Sequence, residues 1–352
     1  DGVINHASQF SDWFKAYLDG DKYFKDFFID LDPSTDLSKV VRPRATPLLS
    51  EFIDNEGKIH NIWTTFSKDQ VDLNYQNHRV LRNVLDALFY YIEKGATLIR
   101  LDAIAFIWKE IGTECVHLPQ THELIQLMRE VLHEVAPEVI IITETNVPHH
   151  ENVSYFGSGD DEAQMVYNFA LPPLLIHSIL HGDTKTLTRW AQSLSLPSNK
   201  VCFFNFTASH DGVGLRPVKG ILSDDEIDYL VSHVQDHGGL VSFRAEEDGS
   251  QSPYELNCSY IDTLSHPDEE DILRIKRMLL SQGTALAMPG VPGIYFHSLV
   301  GSRNYHDGVK HTGINRAINR ETFNVDWLEK ELSQQGNLPK TMFDSYKRLI
   351  SI

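Results

Sequence analysis

The sequence is poor in cysteine and has no long apolar run. Its 352 residues include three cysteines, Cys115, Cys202 and Cys258, which are far apart and show no CxxC spacing. An odd number of separated cysteines predicts reduced thiols in a cytoplasmic protein, not a disulfide framework or a zinc site. No apolar stretch approaches the ~18–20 residues of a membrane span, and the first six residues lack signal-peptide character. We therefore expect no membrane partner.

Positive charge is also scarce. There are 31 Lys and Arg residues against 49 Asp and Glu residues, which gives a formal net charge of −18 at pH 7. Nucleic acid and anionic lipid would be repelled, so we expect neither as a partner. A small anionic substrate would need a local basic pocket. The sequence gives no indication of the oligomeric state.

Motifs for nucleotides and metals are missing too. No GxGxxG or P-loop sequence is present, so nothing indicates a nucleotide cofactor. The pair His149-His150 has no third ligand at a usable spacing, and adjacent side chains diverge. An early strand ending in His-x-His, as in metal-dependent barrels, is also missing. We expect neither a cofactor nor a metal ion.

Short apolar runs alternate with longer amphipathic ones along the chain. The predicted strands cover residues 97–102, 139–144, 165–169, 202–206 and 293–296, and the predicted helices cover residues 78–94, 120–135, 174–180 and 270–282. This alternation is typical of a parallel sheet covered by helices. By itself it fits either an open doubly wound sheet or a barrel.

The positions of polar residues separate these two architectures. Asn5-His6, Asp102, Glu144 and His210-Asp211 each follow a different apolar strand. An open sheet concentrates its site at one switch point, whereas a barrel recruits residues from many strands. We therefore predict a TIM-type (β/α)8 barrel.

An inserted subdomain is predicted within this barrel. Residues 212–265 show no clear periodicity and include Gly238-Gly239 and the acidic stretch Glu246-Glu247-Asp248. We predict that residues 1–211 form the central part of the barrel, residues 212–265 a loop-rich insertion, and residues 266–352 the C-terminal part of the barrel.

Three carboxylates are candidates for acid–base chemistry. Retaining glycosyl transfer uses one ionised carboxylate and one protonated carboxyl on either side of the scissile bond. Arg100, two residues before Asp102 on the same strand face, would keep Asp102 ionised, while Glu144 in a cleft near another carboxylate would have a raised pKa. A lone Arg-x-Asp is usually an ion pair and a lone His-Asp a turn, but three such features at strand ends favour a site, with Asp211 as the third carboxylate.

Four segments, residues 1–6, 99–103, 143–146 and 208–211, resemble the ordered signature regions of the α-amylase superfamily. Nearly the whole chain resembles its sucrose phosphorylase branch, through segments that include Arg42-Pro43-Arg44, Gly112-Thr113, Leu171-Pro172-Pro173-Leu174 and Ile318-Asn319-Arg320. Residues 141–148, 156–157 and 301–304 are most similar to glucosylglycerate and sucrose-6-phosphate phosphorylases. This resemblance implies a segment of a longer enzyme, without the opening barrel strands and the C-terminal β domain.

The resemblance also implies residue roles. Asp102 would be the nucleophile, Glu144 the general acid/base and Asp211 the transition-state stabiliser. The substrate would contact Asn5, His6, Arg100, His210, Arg320, Phe66, Phe106, Asn146, Tyr254 and Glu255, and phosphate would contact Arg44, Arg42 and Arg303.

Several alternatives to these roles stay open. Without a binding role, each arginine would be a solvated surface charge, and Phe66 and Phe106 would be core residues. Tyr254 would either gate the site or anchor its loop. Phosphate and an anionic acceptor would use the same cations, so the sequence does not separate them.

The predicted function is a retaining glycoside phosphorylase that cleaves a small α-glucoside to α-glucose 1-phosphate. Glucosylglycerate is the favoured substrate, ahead of sucrose 6-phosphate, glucosylglycerol and sucrose. The alternatives are a hydrolase or transglucosidase on the same barrel, and a catalytically inactive sugar-binding barrel.

Overall fold

The structure is a computed structural model that describes residues 1–44, 46–245 and 250–352. Its strands are β1 (Gly2–Val3), β2 (His6–Ser8), β3 (Leu49–Ile53), β4 (Ile59–Trp63), β5 (Gln70–Asp72), β6 (Leu98–Asp102), β7 (Ile140–Thr143), β8 (Met165–Tyr167), β9 (Cys202–Phe206), β10 (Val213–Gly214), β11 (Leu240–Ala245), β12 (Gln251–Asn257) and β13 (Val291–Gly293). Its α-helices are α1 (Asp12–Leu18), α2 (His78–Glu93), α3 (Pro119–Val135), α4 (His149–Asn152), α5 (Leu171–His181), α6 (Lys185–Ser193), α7 (Asp224–Asp236), α8 (Tyr260–Leu264), α9 (Asp271–Ala287), α10 (Phe296–Leu299), α11 (His306–Thr312), α12 (Val325–Ser333) and α13 (Leu338–Ile350).

Six parallel strands form the central sheet, in the order β1-β6-β7-β8-β9-β13. Helices lie between successive strands, so the predicted βα alternation is present. Within the described residues, β1 and β13 each pair on one side only. A mostly apolar cavity of about 460 Å³ lies beside β1.

Helix α2 illustrates how the sequence builds the barrel wall. The side chain of Asn77 caps its first turn by accepting from the backbone N–H of Arg79. Val80, Val84 and Leu88 recur every four residues, so they share one face of the helix, and all three are buried. They belong to the same apolar cluster as the inner residues of β6. The predicted helix over residues 78–94 agrees with the structure.

The strand predicted over residues 293–296 is misplaced. The strand is β13, which ends at Gly293, and Phe296 instead begins the short helix α10. The prediction followed the apolar run Ile294-Tyr295-Phe296. Pro292 nevertheless lies inside β13, which among the described residues pairs with β9 alone. Gly293 also lies so close to the Phe204 ring that a β-carbon there would be 2.3 Å from it.

The segment over residues 212–265 is more regular than predicted. It contains the antiparallel sheet β10-β12-β11 and the 13-residue helix α7. Helix α7 begins with a capping box in which Ser223 and Glu226 each bond to the other's backbone N–H. Ile227, Leu230, Val231 and Val234 recur at helical spacing and pack into the core, a signal that the sequence prediction overlooked. The acidic stretch Glu246-Glu247-Asp248 lies outside the described residues, and the domain boundaries at 211 and 265 stay predictions.

A further excursion, which the sequence reading did not separate, lies between β1 and α2. It contains the two-stranded sheets β2-β5 and β3-β4. Phe14 forms edge-to-face contacts with Phe28 and Phe52, which packs this excursion around an aromatic centre. Across the described ranges, no helix has both the length and the apolar character that a membrane crossing requires.

Candidate active site

Asp102 is the last residue of β6, at the carboxyl end of the parallel sheet. Alternate residues of a strand share a face, so Arg100 lies beside it, and Arg100 Nη1 is 2.8 Å from Asp102 Oδ1. Arg100 Nη2 is also 3.8 Å from Glu144 Oε2. One guanidinium therefore orients Asp102 and lies beside both carboxyl groups.

Glu144 directly follows β7, the neighbouring strand. Burial, and then the adjacent carboxylate of Asp102, raise the pKa of Glu144 to about 7, against the opposing effect of Arg100. A carboxyl group with this pKa is partly protonated at neutral pH. It can therefore both donate and accept a proton during turnover.

Ala103 connects the two carboxyl groups through its backbone. Its φ of 54° lies in the left-handed region, which is strained for a residue with a β-carbon. In this conformation its N–H donates to Glu144 Oε2 at 3.3 Å. Backbone strain of this kind concentrates at functional sites.

Asp211 follows β9 and faces two arginines. Arg316 Nη1 makes a short contact with Asp211 Oδ1, and Arg320 Nη2 lies 3.2 Å from the same oxygen. Burial alone would raise the pKa of Asp211, but Arg316, together with His210 and Arg320, lowers it. Asp211 is thus kept ionised while Glu144 holds its proton more tightly.

Arg316 is a site residue that the sequence reading missed. Its Nε and Nη2 donate to the two carboxylate oxygens of Glu255 at 2.9 and 2.5 Å, while Nη1 contacts Asp211. The Glu255 side chain is fully buried and also accepts the backbone N–H of Gly212 at 2.8 Å. The one available signal was the repeated Asn-Arg pair, at residues 315–316 and again at 319–320. Arg316 therefore links Glu255, on β12 of the insertion, to Asp211.

The three carboxylates share one cavity with half of the predicted substrate contacts. Its lining is His6, Arg44, Phe66, Gln70, Asp102, Ala103, Phe106, Glu144, Thr145, Asn146, Phe169, Asp211, Gly212, Tyr254 and Arg316. Three further predicted contacts do not line it but lie beside its carboxylates: Arg100 on Asp102, and Arg320 and His210 beside Asp211. Asn5 and Glu255 are fully buried behind the lining residues, so they support the wall and do not face the cavity.

One side of the cavity is aromatic. The rings of Phe66 and Phe106 meet edge to face with centroids 5.5 Å apart, and Phe66 lies 5.6 Å from the His6 ring. Burial lowers the pKa of His6, against the raising effect of Asp72 and Asp102. This favours a neutral imidazole at the cavity wall.

A guanidinium also lines this cavity. The Cζ atom of the Arg44 guanidinium is 4.9 Å from the centroid of the Tyr254 ring, which is a cation–π geometry. Within the described part of the chain, Arg44 has no carboxylate partner. Its charge is therefore available to an anion in the cavity.

The structure does not bring Arg42 and Arg303 to this cavity, as a phosphate role would require. The Arg42 guanidinium donates to the backbone carbonyl of Thr46. Arg303 forms an ion pair with Asp262, whose side chain is 2% exposed. Each guanidinium is occupied by a local partner, so we leave both out of the phosphate site.

The pair His149-His150 does not form part of a metal cluster. In the ranges that the structure describes, no group of three or more His, Cys, Asp or Glu residues could hold a metal ion. The His149 ring packs instead against Trp190, with centroids 5.8 Å apart.

The arrangement can support a double displacement at a sugar carbon. Asp102 is oriented by a guanidinium and can attack, Glu144 can protonate a leaving oxygen, and the ionised Asp211 can stabilise positive charge. Arg44 can hold an anionic group in the same cavity.

Comparisons with known proteins agree with this fold. A family model described as "Alpha amylase, catalytic domain" matches residues 1–211. The crystal structure of sucrose 6F-phosphate phosphorylase from Thermoanaerobacter thermosaccharolyticum superposes with a TM-score of 0.84 at 22% identity. The match covers 99% of this chain and 70% of that one, and it shows that the six parallel strands are part of a (β/α)8 barrel.

Two curated relatives are similar over the whole chain. Glucosylglycerate phosphorylase from Escherichia coli (strain K12) is 48% identical over 352 residues, which are 100% of this chain and 63% of that protein. The enzyme of the same name from Spirochaeta thermophila is 47% identical over 351 residues, covering 100% of this chain and 59% of that protein. The chain thus spans about three fifths of the length of these relatives.

Proposed function

This chain belongs to the α-amylase family, and on that premise we propose that the full-length protein is a retaining glycoside phosphorylase. It cleaves a small α-glucoside with inorganic phosphate and releases α-D-glucose 1-phosphate. Glucosylglycerate is the favoured substrate, because two relatives of that name are 47–48% identical over this whole chain.

The proposed mechanism has two displacements. Asp102 attacks the anomeric carbon while Glu144 protonates the departing oxygen, which gives a glucosyl-enzyme and free acceptor. Phosphate then attacks from the vacated side and releases Asp102. The different environments of the carboxyl groups support this assignment, because burial raises the pKa of Glu144 while arginines lower that of Asp211.

Arg44 is the observation that favours a phosphorylase over a hydrolase. A hydrolase delivers water, which needs no cation, whereas a phosphorylase must hold phosphate inside a cavity that already contains three carboxylates. Arg44 supplies a guanidinium without a carboxylate partner among the described residues that line this cavity. Guanidinium groups bind phosphate and carboxylate in the same bidentate way, so glycerate is also a suitable acceptor.

The test uses the full-length protein with α-glucose 1-phosphate and, separately, glycerate, glycerol, fructose and fructose 6-phosphate. Released phosphate is the readout. We expect release with glycerate and little with the other acceptors. Release with another acceptor would change the substrate but keep the reaction class. Equal release with and without an acceptor, from plain hydrolysis of the ester, would point to the hydrolase.

Arg44 and Arg42 provide a matched pair of variants. We expect Arg44→Gln to raise the KM for phosphate at least about tenfold, which corresponds to roughly 1.4 kcal/mol of lost binding. Arg42→Gln, two residues away on the same loop, should change it by less than about threefold, because its guanidinium donates to the Thr46 carbonyl. Steady-state kinetics with varied phosphate gives both values. Equal effects of the two substitutions would contradict the assignment of Arg44.

A further inference from the structure

A buried ammonium lies behind the cavity wall that His6 forms. The Lys109 side chain is 3% exposed, and its Nζ is 2.7 Å from Oδ2 of Asp72, which is fully buried. The same Nζ donates to Asn5 Oδ1 at 2.8 Å. A buried ion pair is weak evidence for stability by itself, because desolvation offsets the attraction. The ion pair does, however, determine how the neighbouring side chains are oriented.

The ion pair allows only one orientation of the Asn5 amide. Asn5 Oδ1 accepts from Lys109, and Asn5 Nδ2 donates to Asp72 Oδ2 at 3.1 Å. Exchanging the two ends of the amide would place an NH₂ group against the ammonium and a carbonyl oxygen against the carboxylate. Both contacts would then be repulsive.

The fixed amide in turn determines the proton position on His6. Asn5 Nδ2 lies 3.3 Å from His6 Nδ1. An amide NH₂ can only donate, so the Nδ1 that faces it must be an unprotonated acceptor. A neutral imidazole with this Nδ1 carries its proton on Nε2.

We propose that Lys109 is a positioning residue that, through the Asn5 amide, holds His6 as the neutral Nε2–H tautomer. Gln70 Nε2 lies 2.8 Å from His6 Nε2, Ser67 Oγ donates to Gln70 Oε1 at 2.9 Å, and His6 and Gln70 both line the cavity. The Ser67 hydroxyl can donate or accept, so it does not fix the Gln70 amide as the ion pair fixes that of Asn5. The Nε2–H tautomer therefore requires the opposite orientation of the Gln70 amide, in which Oε1 accepts from His6 and Nε2 donates to Ser67 Oγ. A sugar hydroxyl that enters the cavity meets a defined donor at His6. Only this last step rests on the proposed function.

The network joins the strand of His6 to the segment that follows the nucleophile. His6 begins β2 and lies opposite Asp72 at the end of β5, while Lys109 follows Asp102 by seven residues. The charged groups that face His6 are Asp72, Asp102, Lys109 and Asp69. Burial and Lys109 favour the neutral ring, and the three carboxylates oppose them. Removing Lys109 therefore shifts both the tautomer and the charge of His6.

The test reads the tautomer directly in the full-length protein. Histidine is labelled with nitrogen-15, the signal of His6 is identified by its loss in His6→Asn, and Lys109→Met is compared with Lys109→Gln. We expect an unprotonated Nδ1 in the unsubstituted protein and in Lys109→Gln, whose amide still donates to Asn5 Oδ1. In Lys109→Met we expect a tautomer mixture and a raised His6 pKa, because the neighbouring cation is lost. An unchanged tautomer in Lys109→Met would overturn the proposal.

The proposal remains testable if Lys109→Met folds poorly because Asp72 is left unpaired. The double variant Lys109→Met/Asp72→Asn removes both charges, so no buried carboxylate lacks a partner, and the same mixture is expected. In turnover, the raised His6 pKa of Lys109→Met should lower kcat/KM up to about tenfold on the acid side of that pKa. The tautomer is read without turnover, so an inactive but correctly protonated protein would contradict the proposed function alone.

Discussion

Replacing Asp102 with asparagine is expected to lower kcat for phosphorolysis of glucosylglycerate by on the order of 10⁴-fold or more. The amide cannot form the covalent glucosyl ester, so both displacements are lost. The substitution keeps the size of the side chain, and its amide oxygen can still accept from Arg100 at the end of β6. Initial rates of α-glucose 1-phosphate formation give the measurement.

The control for this substitution is Asp86→Asn, an exposed aspartate on α2. It should retain full activity, and both variants should keep the circular dichroism spectrum of the parent. Sugar binding retained in Asp102→Asn without turnover would also exclude an inactive sugar-binding barrel. Turnover by Asp102→Asn within tenfold of the parent would contradict its assignment as nucleophile.

Replacing Glu144 with glutamine should give a loss that depends on the leaving group. With glucosylglycerate, whose alkoxide is a poor leaving group, we expect kcat/KM to fall by about 10²–10⁴-fold, the usual contribution of general acid catalysis. With α-glucosyl fluoride, which leaves without protonation, the loss should be less than about tenfold. Equal losses on the two substrates would contradict the role of Glu144.

The same residue predicts a pH dependence. Burial and the neighbouring Asp102 raise the pKa of Glu144 to about 7. The general acid must be protonated, so kcat/KM for glucosylglycerate should be maximal below pH 7 and fall as pH rises through 7. This alkaline limb should be missing with α-glucosyl fluoride and in Glu144→Gln, which a pH profile of each would show.

Much of the barrel was predictable because burial on both sides of a parallel sheet makes its strands apolar. The strand Cys202–Phe206 matches its prediction, and the helix before β6 differs by one residue at its end. The failures occurred where tertiary packing overrides local preference. β13 contains a proline and a glycine, which are unfavourable in strands, and it is held by pairing with β9.

In the candidate site, too, residues marked by the local sequence were predicted, whereas residues that depend on distant contacts were missed. Asp102 and Glu144 were found because they end or follow apolar strands, which places them at one edge of the sheet. Arg316 and Lys109 were missed because their partners are distant in the sequence, and the repeated Asn-Arg pair was the one local signal for Arg316. Arg316 reaches Glu255 across 61 residues of sequence, and Lys109 reaches Asn5 across 104. Such pairings depend on how distant segments fold together, and sequence spacing carries no information about them.

The central claim is that phosphate, and not water, receives the glucosyl group. The most direct test incubates the full-length protein with glucosylglycerate, with and without inorganic phosphate, and measures α-glucose 1-phosphate and free glucose separately. We predict α-glucose 1-phosphate that rises with phosphate to saturation, and only slow release of glucose. Release of glucose at the full rate without phosphate would contradict the account and identify a hydrolase.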